Sequence, residues 1–102
     1  MPDFGNSFSG LANDRKLTEQ ELIRAIRFMV SAEYEAVQLY SQLAESTDNK
    51  LAKEVLKDIT DEEIIHAGEF LRLLRELSPG EYKLYDEGAM EVEDEINKLN
   101  CL

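Results

Sequence analysis

A chain of 102 residues has room for one domain with a modest core, so association with further copies is the natural source of additional burial. Eleven basic against twenty-two acidic side chains give a formal net charge of -11, which repels nucleic-acid phosphates and anionic membrane surfaces and draws cations. Cys101 is the single cysteine, which leaves no intrachain disulfide, no CxxC pair and no rubredoxin-type iron site, and fits a reducing compartment. The start lacks a basic, then apolar, export pattern, and no stretch reaches the roughly 20 apolar residues of a membrane span. The expectation is a soluble, cytoplasmic protein. Abundant helix formers, prolines only at positions 2 and 79, and no tryptophan predict an all-α fold.

In chain order, residues 1–16 are rich in Gly, Ser, Asn and Asp around isolated Phe4 and Phe8, and read as a flexible N-terminal arm. Thr18 and Glu21 form a capping-box pattern, with Leu17 and Leu22 at the staple positions, so a first helix starts there and runs to about Glu45. Ser46-Thr47-Asp48-Asn49 supplies a turn and a new helix cap, and a second helix runs to about Leu77. Ser78-Pro79-Gly80 stops it, which makes 17–78 a helical hairpin and 79–102 a linker and short C-terminal helix. Within that tail 81–87 reads as irregular, and Met90, Val92, Ile96 and Leu99 predict a mostly exposed helix over 88–99, suited to packing on a neighbouring subunit.

Two helical stripes carry the chemistry. Leu22, Ile26, Met29, Glu33, Ala36, Tyr40 and Leu43 follow one face of the first helix, and Ala52, Leu56, Ile59, Glu63, His66, Phe70, Leu73 and Leu77 one face of the second. Glu33, Glu63 and His66 interrupt these apolar series, and no lysine or arginine stands in either. An unpartnered ionised group inside a core costs several kcal/mol, so these carboxylates need a cation or a shifted pKa. A short turn makes the helices antiparallel, and Glu33 and Glu63 each lie fifteen positions from Asp48, so they meet at one level with His66 a turn further on. A lone histidine on an apolar face is more often a satisfied core residue, and ExxH alone is a weak motif. The level match and the missing basic partners favour a metal site. Its oxygen and imidazole donors suit iron or manganese and tolerate zinc.

A carboxylate-bridged two-metal centre in a four-helix bundle takes a Glu from each of two helices and a Glu-x-x-His pair from each of the other two. This chain holds half that set. A twofold axis completes it, so the hairpin is expected to dimerise into a four-helix bundle with the metals between subunits. Tyr40 either supports that site or fills core. Glu35 and Glu62, on adjacent faces, either guide cations inward or are solvated surface carboxylates.

Glu33-Tyr-Glu-Ala-Val-Gln-Leu-Tyr40 and Asp61-Glu-Glu-Ile-Ile-His66-Ala-Gly-Glu-Phe70 closely resemble the encapsulated ferritins, small ferritin-like proteins associated with encapsulin shells; the similarity runs from about Thr18 to Leu77. The resemblance implies a ferroxidase: a di-iron centre at the dimer interface oxidises Fe(II) with dioxygen, dimers form an open decameric ring, and the iron passes to an encapsulin nanocompartment. It assigns Glu33, Glu63 and His66 as ligands, Tyr40 as the tyrosine beside them, and Glu35 as one acid of a cation access path whose second acid is replaced by Ala32. The tail from Asn97 to Leu102 lacks a Gly/Leu-rich cargo signal, so the chain is either a domain of a fused shell protein or a differently targeted cargo. A rubrerythrin-like peroxide reductase and a metal-free helical assembly module are the alternative readings.

Overall fold

The computed structural model describes residues 15–101, which form three helices, α1 (Glu19–Glu45), α2 (Lys50–Leu77) and α3 (Pro79–Asn100). The N-terminal arm up to residue 14 lies outside the described residues, as do Phe4 and Phe8.

The capping box that opens α1 forms as the sequence predicts. Thr18 Oγ1 accepts from the Glu21 amide at 3.2 Å, and the Glu21 carboxylate accepts from the Thr18 amide at 2.8 Å. Arg15 grips the same carboxylate with two bonds of 2.7 Å. With the Thr18 bonds, this guanidinium holds the Glu21 carboxyl down at about 2. Asn49 caps α2 by accepting from the Ala52 amide at 2.9 Å. Between the caps the chain reverses, and α1 and α2 pack antiparallel: Ile23 and Ile26, near the start of α1, meet Leu74, near the end of α2.

The buried seam follows the stripe predicted from the sequence only in part. Among the described residues Ile23, Ala25, Ile26, Val30, Ala67 and Leu74 are the buried apolar side chains, whereas Leu22, Met29, Leu43 and Leu73 of the stripe are exposed. Leu74 is 2% exposed and its neighbour Leu73 is 43% exposed, so the seam runs about one residue round from the stripe. The reason is geometric. Two helices bury only the line along which they touch, and an apolar face wider than that line leaves its flank in the open. Leu22, Met29, Leu43 and Leu73 form that flank, whereas Ile26 of the stripe is buried and its Phe70 and Leu77 pack, partly buried, against Ile23, Ile26 and Leu74.

The tail departs from expectation. Residues 79–87 are helical, and α3 begins at Pro79 immediately after Ser78 and is 22 residues long. Proline disfavours helix in the residue before it but is pre-set for the first helical position, so Pro79 ends α2 and starts α3 together. The root of α3 is tied down on three sides. Tyr82 packs against the Ile23, Ile26 and Leu74 cluster and donates its hydroxyl to the Leu71 carbonyl at 2.7 Å. The Arg75 guanidinium lies 5.0 Å from the centre of the Tyr82 ring. The Glu81 carboxylate accepts from Arg27 Nε at 3.1 Å, and also from the Tyr85 and Ser78 hydroxyls. From Lys83 to Cys101 every residue is exposed. The radius of gyration is 18.0 Å, against about 13 Å for a compact chain of this length, because α3 leaves the hairpin instead of folding back along it. No helix among the described residues is long and apolar enough to cross a membrane.

Candidate metal centre

Glu33 stands near the middle of α1, and Glu63 and His66 near the middle of α2, one helical turn apart on the same side. The antiparallel register brings the three together as the sequence predicts. Their ligand atoms all lie within 4.8 Å of one another, and together they form a donor set able to hold a metal ion. His66 Nδ1 is 3.6 Å from Glu63 Oε2 and 3.8 Å from Glu33 Oε2. These are electrostatic contacts, too long for hydrogen bonds.

The electrostatics of the group are unfavourable as they stand. Glu33 Oε2 is buried with no hydrogen-bond partner, and among the described residues the ion-pair contacts of both carboxylates are with His66 alone. The neighbouring Glu63 carboxyl pushes the Glu33 pKa up, burial pushes it further, and His66 opposes both. A hydrogen bond between two carboxyls exists only while one is protonated; with both ionised, Glu33 Oε2 faces negative charge with nothing donating to it. A divalent cation would satisfy that atom and offset the repulsion. Two carboxylates and an imidazole are donors that such a cation accepts. The His66 side chain is 48% exposed while those of Glu33 and Glu63 are 17% and 21%, so the group opens outward on the side of the exposed stripe.

The remaining candidates are placed differently. Tyr40 is half-buried seven residues beyond Glu33, about 10 Å along the helix, and its hydroxyl makes no hydrogen bond among the described residues. Glu35 and Glu62 are exposed on the flanks, and Ala32 is exposed beside Glu33. The Arg27–Glu81 tie is not foreseen from the sequence, although Ser78-Pro-Gly-Glu81 carries the serine-to-glutamate spacing of a helix start with proline at its first position.

The sequence model of the rubrerythrin family matches residues 13–98. The chain belongs to the rubrerythrin family. Within the family it is 42% identical over 74 residues to the encapsulin nanocompartment cargo protein EncC of Myxococcus xanthus, a match covering 72% of this chain and 56% of that protein. It is 33% identical over 81 residues to the ferritin-like-encapsulin shell fusion protein of Pyrococcus furiosus, covering 79% of this chain and 24% of that one. The matched region thus spans about half of the first relative and about a quarter of the second. The crystal structure of the encapsulated ferritin domain from Pyrococcus furiosus superposes with a TM-score of 0.79 at 31% identity, covering 84% of this chain and 88% of that one. This rubrerythrin-family chain is therefore an encapsulated-ferritin relative in both sequence and fold.

Proposed function

We propose that the protein is a ferroxidase whose working site forms between two hairpins, each contributing Glu33, Glu63 and His66. The observation that carries the reading is the convergence of these three groups around a buried carboxylate oxygen that lacks a donor. Two copies of the set hold four carboxylates, whose charge balances two divalent ions, and two imidazoles that orient them. Fe(II) is the substrate; Mn(II) or Zn(II) would compete for the same donors. Each pair of Fe(II) ions gives two electrons to dioxygen, which takes up two protons and leaves as hydrogen peroxide, and the Fe(III) departs. The carboxylates neutralise the ions and hold them adjacent, which is the contribution of the protein chain.

The exposed stripe of Leu22, Met29, Leu43 and Leu73 beside the ligands supports the pairing, since this apolar flank is what a second hairpin would cover. Tyr40, on the same stripe, would then be brought beside the partner's half of the site, and Glu35 and Glu62 would lie at its cation access path. The relatives' names support a destination: the iron goes to an encapsulin shell inside the cytoplasm, delivered by a ring of dimers, a decamer by resemblance. Stopped-flow oxidation of Fe(II) by the purified chain tests the reading. Rapid oxidation lost in both Glu33→Ala and His66→Ala supports it, and wild-type rates in either variant overturn it.

The family match favours one other reading, reduction of peroxide as the physiological reaction. Fe(II)-loaded protein mixed with dioxygen or with hydrogen peroxide distinguishes the two. A ferroxidase reacts at a comparable or greater rate with dioxygen, and a peroxide reductase reacts far faster with peroxide.

A further inference from the structure

Given the reading of Glu33, Glu63 and His66 as a metal site, on which this rests, we propose that Val30 and Ala67 are its positioning residues. Set opposite each other on α1 and α2, one turn from the ligands, they fix the gap across which Glu33 must meet Glu63 and His66.

The antiparallel register is pinned at two levels. Ile23 and Ile26 of α1 pack on Leu74 of α2, and farther along the hairpin Glu33 meets Glu63. Val30 and Ala67 stand between. Val30 follows Ile26 by four residues and precedes Glu33 by three, while Ala67 follows Glu63 by four and precedes Leu74 by seven, so each lies on the seam face of its helix. Both are shut off from water, Val30 at 8% and Ala67 at 3% exposed. His66 is the residue immediately before Ala67. The backbone that carries all three donors thus continues directly from this pair.

Packed helices stand about 8–10 Å apart, the distance following the side chains between them. On α2 the buried residues are Ala67 and Leu74. At Leu74 a leucine fills the space against two isoleucines; at Ala67 an alanine faces a valine, which sets the helices toward the near end of that range beside the ligands.

That separation matters for one contact in particular. Donor atoms sharing an ion, each bonded at about 2.0–2.2 Å, lie roughly 3–4 Å from one another. His66 Nδ1 is 3.6 Å from Glu63 Oε2 and 3.8 Å from Glu33 Oε2, so the chain holds them at that spacing. The first distance joins residues three apart on α2 and is set by the helix itself. The second crosses to α1 and depends on how closely the helices approach. No hydrogen bond among the described residues holds Glu33 Oε2 in place, which leaves its position to the packing beneath it.

The test titrates the full chain with Co(II), whose visible absorption reports the number and arrangement of its donors. Ala67→Leu should weaken Co(II) binding about tenfold or more and alter the shape of the spectrum, because a misplacement of 1 Å is enough to spoil a ligand set. Adding Val30→Ala returns most of the space and should restore both. Ile23→Phe overfills the same seam far from the ligands; it should lower the melting temperature of the metal-free protein while leaving Co(II) binding at the parent value. If Ala67→Leu loses its helical circular dichroism, Ala67→Val takes its place, with weaker binding that Val30→Ala recovers. Parent-like affinity and spectrum in the Ala67 variant, no recovery in the double variant, or an equal loss of affinity in Ile23→Phe overturns the proposal. A parent chain that takes up no Co(II) overturns the metal-site reading and this assignment together, a result distinct from the other three.

Discussion

His66 Nδ1 on α2 sits 3.8 Å from Glu33 Oε2 on α1, and that oxygen is buried without a hydrogen-bond donor. Residues from two helices thus surround an acceptor that the described residues leave unsatisfied. A site of this kind is strained without a cation and relieved with one.

Ligand loss is the first consequence. Glu33→Ala, Glu63→Ala and His66→Ala should each reduce the rate of Fe(II) oxidation by more than the about 10–100-fold that removal of an outer partner of a metal ligand costs. Far-ultraviolet circular dichroism should stay near that of the parent, since none of the three lies in the Ile23, Ile26 and Leu74 cluster.

Removing the strain should stabilise the metal-free protein. Glu33→Gln keeps the shape of the side chain while deleting a buried charge beside Glu63, so its midpoint of thermal unfolding should rise by about 2–5 °C in chelator. The same variant should lose the upward shift that Fe(II) or Zn(II) gives the parent under anaerobic conditions. A variant less stable than its parent in chelator would mean that the Glu33 carboxylate is not under strain in the metal-free fold.

Adjacent leucines should behave oppositely. Leu74→Ala opens a cavity in the core and should cost about 2–5 kcal/mol in denaturant unfolding of the dilute, metal-free chain. Leu73→Ala, at an exposed position, should cost under about 1 kcal/mol there. On the proposed pairing of hairpins, the Leu73 variant should lose more as concentration rises, and a comparison across concentrations checks it.

The α3 root should report on acid. Hydrogen bonds from Arg27, and then from Tyr85, hold the Glu81 carboxyl at about 2, below its unfolded value of 4.5. Because the folded value is the lower one, the stabilisation is complete above about 4.5 and is lost as pH falls toward 2. Glu81→Gln should therefore flatten the fall of stability across that window while leaving the slope at neutral pH unchanged. Melting curves of the two proteins at stepped pH give the comparison.

Much of this molecule is written locally. The capping box of Thr18 and Glu21, the Asn49 cap and the four-residue turn each depend on side chains reaching their own neighbouring backbone, so they are legible in the order of the residues. The convergence of Glu33, Glu63 and His66 follows from the same logic, because a short turn fixes the register and helical spacing fixes the face. Which flank of the apolar face forms the intrachain seam is another matter. That depends on how two helices roll against each other, so Val30, Ala67 and Leu74 were buried by tertiary packing and not by period alone. The direction of α3 was likewise settled by contacts distant in the chain, Arg27 with Glu81 and Tyr82 with Leu71, and no local pattern fixes such contacts. Periodicity sets what each helix presents; packing decides to what it is presented.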